Sequence, residues 1–79
     1  MRVDKFNVRV VHQDDPLVEF YDSRYPHTEF GQFVSRYYVS TILESDDRGL
    51  CLDGGEPDWS ISAKDMAVVR TWLKQEVTA

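Results

Sequence analysis

Residues 30–43 read FGQFVSRYYVSTIL, and the period assigned to this aromatic-rich run decides the fold. Counted at 3.6 residues per turn, Phe30, Phe33, Val34, Tyr37, Tyr38 and Thr41 fall on one stripe at spacings of three and four, which predicts a helix laid on a sheet. Thr28 supplies an N-cap and Glu29 a favourable charge at the positive end of the helix dipole. Gly49 follows as a residue able to take the left-handed C-cap conformation. Val39 and Leu43 then project nearly opposite the stripe, where a surface helix normally carries polar residues. Either another part of the chain covers them or a second subunit does, so they are the candidate self-association residues.

Working outward, residues 3–11 alternate, with Phe6, Val8 and Val10 on one side and Lys5, Asn7 and Arg9 on the other, the period of a half-buried strand. His12, Gln13, Asp14, Asp15 and Pro16 break the pattern as a turn, and residues 17–21 return as a second strand of an antiparallel hairpin. Residues 22–27 form a loop in which Asp22 and Ser23 can bond nearby backbone and Pro26 biases Tyr25 toward extended geometry. On the far side of the run, residues 50–52 and 59–61 read as short strands around the turn-forming segment 53–58. Ser62 with Asp65 resembles a capping box opening a helix over residues 63–77, whose apolar face is Met66, Val69, Trp72 and Leu73. The expected fold is a single α+β domain over residues 1–79: an antiparallel four-stranded sheet with two helices in the order β-β-α-β-β-α.

Seventy-nine residues bury a limited core, but ten aromatic side chains make a compact one attainable. Cys51 is the single cysteine, which excludes an internal disulfide; between Leu50 and Leu52 it reads as a small buried hydrophobe and fits a reducing compartment. No apolar run reaches the ~18 residues of a membrane span and the N-terminus lacks a signal-peptide core, so a cytoplasmic location is expected. His12 and His27 have no spaced partners for zinc, and neither a metal nor a cofactor is expected.

Charge is unevenly distributed. The chain carries 9 basic and 14 acidic residues, net −5, a balance unsuited to direct nucleic-acid binding. Residues 44–58 hold six of those acids and one base, so this segment alone is net −5. Glu44, Asp46 and Asp47 form one group and Asp53, Glu56 and Asp58 a second. Three roles compete for them. Acidic loops keep an aromatic-rich domain in solution. Clustered carboxylates suit calcium, but Arg48 and Gly55 stand where a standard loop needs ligands. Carboxylates held on a scaffold can also imitate a line of phosphates and occupy the basic groove of a nucleic-acid-handling protein. On that third reading Asp14 and Asp15 are a secondary contact group.

In size, acidity and single-domain αβ build, the chain resembles small phage and mobile-element proteins, in particular anti-CRISPR proteins of type I systems. The resemblance spans the full length and rests on no motif. It implies a non-enzymatic DNA mimic and inhibitor in a bacterial host cell that binds a CRISPR effector complex, or another basic nucleic-acid-binding protein, and blocks its target DNA. Two other classes stay open. One is a small adaptor that dimerises through Val39 and Leu43. The other is an enzyme using His27, Tyr25 and Asp22 as an acid-base cluster, which lacks an evident nucleophile or cofactor loop. Tyrosines and arginines of residues 21–27 either close the edge of the core or anchor a partner beside the acids.

Overall fold

The computed structural model describes residues 1–45, 48–52 and 58–78. Its architecture is α+β, a four-stranded antiparallel sheet with two helices and, in addition, a small two-stranded sheet. Strands β1 (Arg2–Val3), β2 (Phe6–Val11), β3 (Leu17–Asp22) and β4 (Gln32–Tyr38) follow one another in space as in sequence. Helix α1 (Val39–Glu44) continues directly from β4; β5 (Leu50–Cys51) and β6 (Ser60–Ile61) pair as the second sheet; α2 (Ala63–Thr78) closes the chain.

The expected class is therefore present, with different strands filling the four-stranded sheet. The run 30–43 is not one helix. It is strand β4 as far as Tyr38 and a six-residue helix beyond it. A bulge explains why its spacing imitates a helix: Phe20 faces Ser35 while Tyr21 faces Phe33, so Val34 is an extra residue on β4. The insertion puts Phe33, Arg36 and Tyr38 on one face and Val34, Ser35 and Tyr37 on the other. Strict alternation is broken into steps of three and two. Aromatic and β-branched side chains suit a pleated, half-buried surface, and pairing with β3 outweighs the weak helical pattern. Thr28 accordingly caps no helix. Its hydroxyl accepts from Phe30 N (3.1 Å) and donates to Gly31 O (2.7 Å) inside the β3–β4 connection. Gly31 has φ +115°, and a Cβ there would run into the carbonyl of Asp22.

Two smaller departures follow from backbone chemistry. The anticipated strand 3–11 is split by a two-residue turn at Asp4 and Lys5, with Asp4 in the left-handed region at φ 52°. The C-cap of α1 is Ser45 in place of Gly49; its hydroxyl donates to Ile42 O at 2.6 Å. Gly49 is needed for another reason, because a Cβ there would strike the carbonyl of Ile61.

One face of the four-stranded sheet is covered. Phe6, Val8, Val18, Phe20 and Val34 pack with Val39 and Ile42 of α1 and with Met66, Val69 and Leu73 of α2. Leu52, Trp59 and Ile61 of the small sheet complete this core. Ser62 caps α2, its Oγ accepting from Asp65 N at 3.2 Å, and the helix runs as its apolar spacing requires. Val39 is 2% exposed and Leu43 is half-buried against the same core, so the chain itself covers Val39 fully and Leu43 in part. They fall inside because the helix they belong to begins at Val39, which resets the face they occupy. Cys51, expected to be buried, is exposed on the two-residue strand β5.

Candidate functional site

Two regions matter in this frame: the anchored ends of the acidic segment between α1 and β6, and the face of the four-stranded sheet that, among the described residues, no helix covers.

The acidic segment 44–58 is tied to the fold at both ends. At its start, Arg70 of α2 donates from Nη2 to Ser45 Oγ (2.8 Å) and Arg48 O (3.3 Å), and from Nε to Ile42 O (3.3 Å). At its end lies a node built on Asp22. This residue shares a sheet face with Phe20 and Val18, so its carboxylate points into the core and is fully buried. A buried charge survives only when paired and hydrogen-bonded. Arg24 provides Nε at 3.0 Å, Nη2 at 2.7 Å and its backbone N at 3.0 Å, while Trp59 Nε1 donates at 2.9 Å. The Arg24 side chain in turn reaches Asp58 Oδ2 at 2.7 Å. These bonds, led by those from the Arg24 side chain, hold the Asp22 carboxyl well below the usual carboxylate range and raise the Arg24 guanidinium above its ordinary value.

Among the sequence-derived contact residues, Glu44 is exposed at the end of α1 and Asp58 is half-exposed and paired with Arg24. Asp46, Asp47, Asp53 and Glu56 lie outside the described residues. Asp14 and Asp15 are exposed in the β2–β3 turn. Since Asp58 sits at the Asp22 end of β3, the length of that strand, roughly 17 Å at about 3.4 Å per residue, separates it from the Asp14 and Asp15 turn. The structure thus assigns Asp58 and the Asp14–Asp15 pair to opposite ends of the sheet. Asp22 cannot serve as a proton acceptor near neutrality, because its carboxylate is already bound by Arg24 and Trp59. His27 and Tyr25 are exposed on the loop beside it.

The second surface was not legible as a unit, since it depends on register. Arg9, Glu19 and Arg36 face one another directly across β2, β3 and β4, a row of charges reading plus, minus, plus. Glu19 is 3.5 Å from Arg9 Nε and 4.0 Å from Arg36 Nε, and it accepts from Tyr21 Oη at 3.0 Å. Burial, with the neighbouring Glu19 carboxylate, pushes the Tyr21 phenol upward. Rings flank the row. Tyr21 packs on Phe30 (centroids 5.4 Å) and Phe33 (5.7 Å), Arg9 lies over Phe30 at 4.7 Å and Arg36 over Phe33 at 5.2 Å. Asn7 Nδ2 donates to Phe30 O at 2.6 Å and folds the connection 23–31 back onto this face. Phe33 is 39% and Tyr38 50% exposed.

Among the described residues, no group of three or more His, Cys, Asp or Glu side chains could hold a metal ion, and no helix is long and apolar enough to cross a membrane. No protein-family model, curated protein or solved structure matches this chain.

Proposed function

We propose that this protein acts by binding another protein, with the acidic segment 44–58 as the contacting surface and a basic nucleic-acid-handling protein as the partner. The observation that carries the reading is the anchoring of that segment: Arg70 holds its start and the Asp22–Arg24–Trp59 node holds its end. Six acids with one base between two fixed ends are brought to a basic groove at a lower ordering cost than a free acidic tail incurs. Glu44, Asp46, Asp47, Asp53 and Glu56 make the contact. Asp58 is spent largely on Arg24 and belongs to the anchor, and Asp14 and Asp15, at the other end of the sheet from Asp58, are secondary.

In its narrowest form the proposal is a DNA mimic that inhibits a type I CRISPR effector complex in the manner of anti-CRISPR proteins. Such a role needs no catalytic group. The adaptor alternative has less support, because Val39 is buried and Leu43 half-buried against the chain's own core. Capture of type I effector subunits by the wild-type protein, lost on Asp46, Asp47, Asp53 and Glu56→Lys and lost in high salt, is the expected result. Capture that survives both changes refutes the proposal.

A further inference from the structure

Strand β4 ends the four-stranded sheet: its inner edge pairs with β3 and, among the described residues, no strand pairs with its outer edge. Such an edge offers a row of backbone donors and acceptors to another extended chain. What such a chain must carry follows from the row that crosses the open face. Arg9, Glu19 and Arg36 alternate in sign from strand to strand, and the alternation stops at Arg36. Opposite charges directly across strands are favourable and like charges unfavourable.

The single carboxylate of Glu19 already serves Arg9 at 3.5 Å and the Tyr21 hydroxyl at 3.0 Å. Arg36 stands at the limit of its reach, 4.0 Å away, with its side chain 59% exposed. Two guanidiniums against one carboxylate leave the row one positive charge in excess, on the strand where the sheet ends. On the same face of β4, Phe33 and Tyr38 stand exposed on either side of Arg36 and would meet apolar side chains.

We infer that the outer edge of β4 is a strand-addition site for an extended segment of another protein, one that sets an acidic residue against Arg36 between apolar residues that meet Phe33 and Tyr38. A second copy of this chain fits poorly. Antiparallel self-pairing of β4 about Arg36 puts two arginines face to face. The inference rests on residues of β2, β3 and β4 and the proposed function on residues 44–58, so the two readings can fail independently.

Blocked peptides with alternating valine and threonine test it, the central valine replaced by glutamate in one and by lysine in another. Binding to the intact protein is followed by fluorescence anisotropy. The glutamate peptide binds about fivefold or more tightly than the lysine peptide. Arg36→Glu reverses that preference, Arg36→Gln abolishes it, and N-methylation of alternate peptide amides removes binding altogether. Circular dichroism of both variants verifies the fold, and Arg36→Gln serves as the readout should Arg36→Glu not fold. Equal binding of the two peptides, no binding of either, or binding indifferent to N-methylation overturns the inference. So does a concentration-dependent dimer of the wild-type protein that Arg36→Glu dissociates, which would assign the edge to a second copy.

Discussion

The Asp22 node at the end of the acidic segment and the open face of the sheet solve the same problem, a carboxylate paired with arginine, in different ways. Asp22 is sealed into the core and its partners converge on it: three donors from Arg24 and one from Trp59, a residue 37 positions away. Glu19 lies on the opposite face of the sheet and divides itself among Arg9, Arg36 and Tyr21. The first arrangement buries its carboxylate with every partner inside the fold and fixes a joint between the two sheets. Around Glu19 a positive charge is left over at a sheet edge. A closed node of the first kind stabilises, whereas an open row of the second kind is available to a partner.

Substitutions should separate the two sites by the size of their effects. Asp22→Ala leaves Trp59 Nε1 without its acceptor and unties Arg24, and it should cost about 3 kcal/mol, the range found when one partner of a buried pair is removed. Urea unfolding measures this, and a loss under about 1 kcal/mol would mean that the node does not hold the joint. Gly31→Ala, beside the same node, should cost about 1 to 3 kcal/mol, because φ +115° disfavours any side chain and the Cβ would meet the Asp22 carbonyl. Glu19→Gln should be milder, about 1 kcal/mol, since Glu19 shares its partners with an exposed face.

The pH dependence has opposite signs at the two sites. Because the Asp22 carboxyl is lowered in the folded state, its contribution is complete above the ordinary carboxylate range, near pH 4, and is lost as pH falls below it. Tyr21 is raised, so its contribution is complete below about pH 10 and is lost as the pH climbs beyond that. In Asp22→Ala the acid limb of the stability profile should flatten while the alkaline limb stays. An unchanged acid limb would place the acid sensitivity elsewhere.

Parts of this arrangement could be read from residue order. Helix α2 announces itself through Ser62, Asp65 and the spacing of Met66, Val69 and Leu73, and β2 with β3 through alternation around the turn at Asp14 and Asp15. The run 30–43 misled because the bulge at Val34 turns a period of two into steps of three and two, a feature that only the pairing with β3 reveals. The Asp22 node was invisible for a related reason: Asp22 and Ser23 read as turn formers, and nothing local marks Trp59 as the partner of Asp22. Charge counting located the acidic segment, which is additive along the chain, but could not find the Arg9–Glu19–Arg36 row, which exists only in the register of three strands.

The smallest structural effect and the largest functional one are expected from the same variant. Reversal of Asp46, Asp47, Asp53 and Glu56 to Lys replaces none of the anchoring residues Asp22, Arg24, Asp58 and Arg70, so the unfolding midpoint should move less than in Asp22→Ala. The direct measurement is competition: a purified type I effector complex, labelled target DNA, and increasing amounts of this protein. The wild type should displace the DNA and the reversed variant should not. Displacement by both, or by neither, would contradict the acidic segment as the contacting surface.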